Sequence, residues 1–170
     1  MTENEIYKAI RSELIANLNK IEVKQAQQNT QQGISFNPVI YMFFISHYRY
    51  GYLQRLDSPE GDVIKHIERQ PYETVLQFTG QVLENPDTQL TSLDILNDAA
   101  DILQSDKGRL SLKEKGIKVL RITDIRHVFT LDEQGRNQST PSFDLTIQHE
   151  RVKESTTPIT QSFEFKKYRV

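Results

Sequence analysis

The residues best suited to acid–base or metal chemistry near neutral pH are the four histidines, His47, His66, His127 and His149. No two of them stand at HxH or HExxH spacing, so the sequence contains no ready-made set of metal ligands. Asp124 and His127, on a predicted strand, point to opposite faces. A catalytic site would therefore have to be assembled across the fold, most simply from His127, Asp124 and His149.

Three carboxylates recur at helical spacing, Asp94, Asp98 and Asp101. At positions i, i+4 and i+7 they could face a cation, but the other half of the same helix is apolar, which favours a solvated polar face. The chain also lacks cysteine, a glycine-rich phosphate loop and a GxSxG nucleophile motif. We expect no catalytic residue, no metal site and no cofactor.

Tyrosine and arginine alternate in one stretch, which contains Tyr48, Arg49, Tyr50, Tyr52 and Arg55. Both residue types are enriched in the cores of protein interfaces, and both can stack on nucleic-acid bases. The net charge of -2 and the pI of about 6.1 disfavour binding to a phosphate backbone. The stretch therefore predicts a subunit interface, and ordinary packing of a hairpin remains an equal alternative.

The composition indicates one domain with a modest core, since 36% of the 170 residues are apolar and the mean hydropathy is -0.58. The N-terminal stretch is acidic and polar, and no apolar run approaches the length of a membrane span. We expect neither a signal peptide nor a transmembrane helix.

The elements that would position these residues begin with a helix. Thr2 and Glu5 form a capping box, and the apolar spacing predicts a helix from about Glu3 to Asn19. A short strand at Ile21–Lys24 and a glutamine-rich loop at Gln25–Gly33 follow. Within Phe36–Ser46, seven consecutive apolar residues then predict a strand that is buried on both faces.

The middle of the chain predicts a long hairpin, Ser46–Leu56 against Asp62–Thr79, which turns at Asp57–Gly61. The clearest amphipathic helix follows at Leu93–Leu103, and Gly108 is expected to close that segment. If this helix and the N-terminal helix pack on the same side of the sheet, the other face of the central strand needs a different cover, for which a neighbouring subunit is the leading candidate.

The last third is rich in β-forming residues. In Ile117–Leu131 the apolar alternation slips, which predicts a bulge near Leu120–Thr123. The composition of Asp132–Gly135 predicts a turn. Apolar and polar residues alternate in Ser142–Glu150, which predicts a half-buried antiparallel strand. Ile159–Val170, with Phe163 and Phe165 on one parity, could add an edge strand.

The predicted fold is α+β: a mostly antiparallel β-sheet with two main amphipathic helices packed on it and a long β-hairpin arm. We predict one domain over residues 1–152 and a C-terminal tail over residues 153–170.

Three segments together resemble the neck and tail terminator proteins of tailed bacteriophages: QPYETVLQFTG at Gln70–Gly80, the hairpin-like Gly116–Arg136, and SFDLTIQHE at Ser142–Glu150. The order of elements matches over roughly Glu3 to Val152. The resemblance implies a structural subunit without catalysis that forms a ring, usually hexameric. Such a ring caps the tail tube and joins it to the head connector.

The resemblance also implies partners and a location. The partners are further copies of the chain, the tail tube protein and the connector or adaptor protein, with DNA only as cargo passing through the lumen and no membrane. The location is the tail or neck of the virion, after assembly in the host cytoplasm. We expect subunit contacts at Tyr48, Arg49, Tyr50, Tyr52, Arg55, Phe163 and Phe165.

Three alternatives remain open at this point. The chain could be another head–tail adaptor or stopper protein, which would share its size and charge. It could be an enzyme or ligand-binding α+β domain, which requires His127, Asp124 and His149 to converge in a pocket. It could also be a nucleic-acid-binding module that uses the tyrosine and arginine hairpin.

Overall fold

A computed structural model describes residues 1–26, 37–82, 90–127, 129–131 and 137–159. The helices and strands, in chain order, are α1 (Glu3–Asn17), β1 (Glu22–Gln25), β2 (Val39–Arg49), β3 (Gln54–Glu60), β4 (Val63–Gln81), α2 (Ser92–Gln104), α3 (Asp106–Glu114), β5 (Lys118–Ile122), β6 (Phe129–Leu131), β7 (Asn137–Ser139) and β8 (Ser142–Pro158).

The main sheet has the strand order β1-β2-β4-β8-β5, and β3 pairs with the free part of β4. All pairings within it are antiparallel except that of β1 with β2. A separate two-stranded sheet joins β6 and β7. The predicted α+β class with a mostly antiparallel sheet is confirmed.

The two predicted helices are present, and each begins with a capping box. In α1, the Thr2 N–H donates to Glu5 Oε2 at 2.7 Å and the Glu5 N–H donates to Thr2 Oγ1 at 3.3 Å. Thr91 and Asp94 form the same arrangement at α2. The first helix therefore starts where its capping box places it, and α2 begins one residue before the predicted Leu93.

The prediction that Gly108 closes the helical segment is wrong, because Gly108 lies inside α3. Ser105 starts this helix, since its hydroxyl accepts a hydrogen bond from the Gly108 N–H at 3.0 Å. A Cβ atom at Gly108 would lie 2.1 Å from the carbonyl oxygen of Ile102. The glycine thus permits the close turn from α2 into α3.

The predicted hairpin exists, but its turn is tighter than expected. Asp57–Pro59 belongs to β3, and the chain reverses at Gly61, which has a φ of 62°. Pro59 is tolerated because β3 is an edge strand. Gly51, with a φ of 69°, lies between β2 and β3, which pair with different halves of β4.

One face of the sheet carries the core. The register aligns Met42 with Phe78 and Phe78 with Phe143, and the two phenyl rings stack at 4.9 Å between centroids. All three helices contribute buried residues to the same cluster, for example Ile10, Leu96 and Leu112. The helices therefore cover a single side of the sheet.

The prediction that the central strand is buried on both faces is wrong. Ile40 and Met42 lie in the core, whereas Tyr41 and Phe43 are half-buried and outside it, and Ile45 is 51% exposed. The physical reason is that both amphipathic helices pack on the same side, so the opposite side has no helical layer.

The predicted bulge in the last third is confirmed, since the register of β5 against β8 shifts between Val119 and Arg121. The strand predicted at Ser142–Glu150 is also confirmed, and β8 continues to Pro158, past the domain boundary proposed at residue 152. The turn at Asp132–Gly135, most of the glutamine-rich loop, and Phe163 and Phe165 lie outside the described residues. No helix in the described part of the chain is long and apolar enough to cross a membrane.

Candidate assembly surface

Half of the sheet extends beyond the helices as a three-stranded arm. We define the arm as β3, the first half of β4 (63–70) and the second half of β8 (151–158). Arg55 of β3 pairs with Glu68 of β4, which pairs with Lys153 of β8. Every residue of β3 and of this part of β8 is exposed, so no helix covers the arm.

A polar network around His66 holds the three strands of the arm together. His66 is 8% exposed; its Nδ1 atom lies 2.6 Å from Asp57 Oδ1, and its Nε2 atom lies 2.7 Å from Thr157 Oγ1. Arg55 Nε donates to the same Asp57 oxygen at 3.0 Å. The hydrogen bonds from His66 and Arg55 lower the pKa of Asp57. The arm is therefore braced by side chains of its own three strands.

The face of the sheet opposite the helices carries an apolar strip, which we call the open-face strip: Tyr41, Phe43, Tyr48 and Val75. None of the four belongs to the core or packs against it. Tyr48 is 59% exposed and lies across from Glu73, and the other three are half-buried. An aromatic strip on an otherwise polar sheet face is a typical protein contact surface.

The structure divides the predicted tyrosine and arginine cluster. Tyr48 lies on the open face, whereas Arg49 lies on the helix side, where its Nε atom donates to the Tyr72 hydroxyl at 2.9 Å. Tyr50 and Tyr52 lie in the connection between β2 and β3, and Tyr52 is 92% exposed. Arg55 belongs to the network that braces the arm. Their role in subunit contacts remains a prediction.

A histidine pair that no sequence motif predicts lies where the arm meets the helix-covered part of the sheet, which we call the body. Thr74 Oγ1 bridges His47 Nδ1 at 2.8 Å and His149 Nε2 at 2.9 Å. His149 is 4% exposed, stacks on Tyr72 at 5.7 Å, and its Nδ1 atom has no partner among the described residues. His149 and the core residue Ile147 are two residues apart in one strand, so their side chains lie on the same face of the sheet. This alternation is the sequence signal that could have predicted that His149 is buried.

The environment of His149 keeps it neutral. Burial lowers the pKa of His149 to about 4, and the nearby Met1 ammonium and His47 act in the same direction. A cavity of about 520 Å³ adjoins it and is also lined by Glu3 and Arg151. The His47 Nε2 atom lies 3.0 Å from Glu3 Oε1, so the pair connects the start of α1 to the sheet.

The three residues of the enzyme hypothesis do not converge. Asp124 and His127 are exposed, whereas His149 is buried. The Thr123 N–H bonds to Asp144 O at 3.0 Å, so Asp124 lies near a part of β8 that is five residues, or roughly 17 Å, from His149. No group of three or more potential metal ligands occurs within the described ranges.

Two solved structures share this fold. The sheath/tube terminator of the extracellular contractile injection system PVC, in its extended state, aligns with a TM-score of 0.54 and 13% identity, covering 100% of this chain and 65% of that one. The tube-terminating cap of the anti-feeding prophage aligns with a TM-score of 0.59 and 11% identity, covering 98% and 62%. The present chain thus spans less than two thirds of either protein. A search of curated proteins gives no match.

A family assignment comes from the sequence itself. The family described as E217 gateway protein gp29 matches residues 3–159, which include every helix and strand named above. This match bears out the resemblance to phage neck and tail terminator proteins. The chain therefore belongs to the family of the bacteriophage E217 gateway protein gp29, a family of structural proteins rather than of enzymes.

Proposed function

We propose that the protein is a tail terminator subunit, which forms a hexameric ring at the head-proximal end of a phage tail, caps the tail tube and joins it to the head connector. The observation that carries this proposal is the one-sided cover of the sheet: the helices bury one face, and the other face presents the open-face strip. A surface of this kind is completed by a partner molecule.

The mechanism is geometric. A ring forms when each copy contacts the next through two different surfaces and the rotation between copies closes the circle. The open-face strip and the arm supply surfaces that reach beyond the helix-covered body. One face of the ring then matches the last ring of the tube, and the other matches the connector.

The charge of the chain suits a ring through which DNA passes. A net charge of -2 provides no overall basic field, so the lumen does not retain the phosphate backbone. In this proposal the protein works in the neck or tail of the virion after assembly in the host cytoplasm, and DNA is cargo rather than a ligand.

Mass measurement of assemblies tests the proposal. The protein is examined by native mass spectrometry and light scattering alone, with the tail tube protein, and with the connector protein. We expect a hexamer in at least the tube-containing mixture, visible as a six-fold ring by electron microscopy. A strict monomer in all three samples would overturn the proposal, and binding to the connector alone would identify an adaptor or stopper instead.

A further inference from the structure

The outer edge of β8 has no neighbouring strand within the arm, as far as the described residues extend. β5 pairs with β8 only from Leu145 to Gln148, whereas β4 lies along the other side of β8 as far as Pro158. Residues 150–158 are all exposed, and we call them the free β8 edge. An unpaired strand edge of this length can pair with an additional strand.

The backbone of the free β8 edge points outward at every second residue. In an antiparallel ladder, the N–H and C=O of one residue point to the same side, and the side alternates along the strand. Ser142 exchanges both groups with Arg126 on the β5 side, and Glu150 O accepts from the Met1 ammonium at 2.6 Å. The register against β4 does not shift from Ser142 to Pro158, so the alternation continues. The residues that direct both groups outward, with no partner for them among the described residues, are Val152, Glu154 and Thr156.

The two faces of the arm differ in polarity. Val152 is 47% exposed and lies on the open face, because Ile147 and His149, at odd positions of the same strand, face the helices. On the same open face Leu56 is 56% exposed and lies opposite Ile67. The other face of the arm carries the polar network around His66. A strand added at the free β8 edge would therefore need one apolar and one polar side.

The segment that follows β8 has this pattern and begins close to the edge. Ile159 N–H donates to Asp62 O at 2.8 Å, so residues 160–170 start at the tip of the arm. At about 3.3 Å per residue they span roughly 36 Å when extended, and the free β8 edge spans roughly 30 Å. Phe163 and Phe165 alternate with Glu164 and with other polar residues. The alternation is that of a strand with one apolar face.

The residues after β8 disfavour a tight hairpin back onto the same β8. Two-residue hairpin turns require a positive φ and therefore favour glycine, asparagine and aspartate. The sequence at 159–162 is ITQS, which contains none of these residue types. Its β-branched Ile159 and Thr160 rarely adopt a positive φ. The segment is therefore better suited to the edge of a neighbouring copy than to its own.

We propose that residues 160–170 of one copy add as a strand to the free β8 edge of the next copy, with Phe163 and Phe165 on the same face as Val152. This inference rests on the ring proposed above and specifies one contact within it. The donated segment and the accepting edge are different surfaces, as a closed ring requires. Main-chain hydrogen bonds supply the affinity in this mode of pairing, and the alternate side chains supply the specificity.

Two sets of variants test the strand and its side chains in the full chain. Thr156→Pro removes one outward N–H and leaves the ladder to β4 in place, and Thr156→Ala, which keeps the N–H, is the matched control. Phe163→Ser with Phe165→Ser removes the apolar face, and Glu164→Ser with Lys166→Ser, at the alternate positions, is its control. We expect the proline and phenylalanine variants to weaken assembly at least tenfold and both controls to assemble like the wild type. Circular dichroism verifies that every variant is folded.

Cross-linking identifies the two partners, because the chain contains no cysteine of its own. Protein with Ser155→Cys is mixed with protein that carries Glu164→Cys, and a short bismaleimide is added under conditions in which the wild type assembles. We expect a dimer whose linked peptides contain positions 155 and 164. Lys8→Cys, at an exposed position of α1, replaces Ser155→Cys in the control mixture and gives no such link.

The outcomes separate this contact from the ring itself. A wild type that never assembles overturns the proposed function and this contact with it. A wild type that assembles while the proline and phenylalanine variants do so equally well overturns the contact alone. A link that forms within one chain carrying both cysteines, but not between copies in the mixture, would assign the segment to its own sheet. A link from position 164 to the tail tube protein would assign it to that partner, and either result overturns the contact between copies.

Discussion

The hydroxyl of Thr74 lies 2.9 Å from Nε2 of His149, on the helix side of the sheet where β4 and β8 leave the body and enter the arm. The Nδ1 atom of His149 is buried and makes no hydrogen bond among the described residues, and burial is the main cause that lowers the pKa of this ring. We therefore expect the stability of the folded protein to depend on pH through His149.

Stability should fall as the pH drops from about 6.5 to about 4. The pKa of His149 is lowered from 6.5 to about 4 in the folded state, so in this interval the unfolded chain binds more protons than the folded one. At about 1.4 kcal/mol per pKa unit, the loss is on the order of 3 kcal/mol. Urea unfolding at several pH values measures it.

The control for this pH effect separates His149 from the other histidines. His149→Gln should flatten the dependence, whereas His127→Gln, at an exposed position, should leave it as in the wild type. An unchanged slope in His149→Gln would show that another group, such as the nearby His47, is responsible.

Loss of the His66 network should loosen the arm without unfolding the body. His66→Ala removes contacts to Asp57 and Thr157, each worth roughly 0.5–1.5 kcal/mol. We expect amide hydrogen exchange to rise in β3 and in the second half of β8 and to stay constant in α1 and α2. Glu60→Ala, at the tip of the arm, serves as the control; equal protection in both variants would contradict the role of the network.

Gly108→Ala should destabilise the protein although alanine is the better helix former. Propensity alone favours alanine by about 1 kcal/mol. The new Cβ atom would meet the Ile102 carbonyl at 2.1 Å, which forces α2 and α3 apart and costs roughly 1–3 kcal/mol. Chemical denaturation compares it with Lys107→Ala in the same helix, and a stabilised Gly108→Ala would contradict the close approach.

Tyr48→Glu should impair assembly while leaving the monomer stable. Tyr48 is 59% exposed in the open-face strip, so its replacement changes monomer stability by no more than about 0.5 kcal/mol. A carboxylate in a buried contact is costly, and we expect at least a tenfold loss of ring formation in sedimentation experiments. Tyr52→Glu, at the 92% exposed position in the connection, shows whether the effect belongs to the strip or to the whole tyrosine stretch.

Duplex DNA should not be retained by the wild-type protein even at low salt. The net charge of -2 provides no overall basic field, and Arg49 and Arg55 of the tyrosine and arginine stretch are engaged with Tyr72 and Asp57. Fluorescence anisotropy measures binding over a salt series. Tight binding that weakens steeply with salt would support the nucleic-acid alternative instead.

The elements that the sequence predicts well are those with local signals. The capping box at Thr2, the apolar periodicity of Leu93–Leu103 and the alternation of Phe143, Leu145 and Ile147 act within a few residues, and α1, α2 and β8 appear where those signals lie. By contrast, α3 has few apolar residues and its start depends on one serine hydroxyl, so the sequence pattern predicts an end of the helix at Gly108 where a helix in fact begins.

What the sequence could not predict depends on contacts between distant segments. Whether Val39–Ile45 is covered on one face or two depends on where α1 and α2 pack, which no pattern within the strand reports. The tyrosine and arginine stretch looked like one cluster, but the bulge between Phe44 and Ser46 and the left-handed Gly51 divide it between surfaces. The proximity of His47 and His149 likewise arises only from strand register.

The body and the arm share one uninterrupted strand. β4 has 19 residues, which at about 3.3 Å each makes it roughly 60 Å long, and it changes neighbours from β3 to β2 without a break. Strand β8 pairs with β4 from Val63 to Thr79, so one two-stranded ladder runs through both the arm and the helix-covered part of the sheet. In the ring proposed above, a partner that contacts the tip of the arm would therefore act on the helix-covered part of the subunit through this continuous ladder.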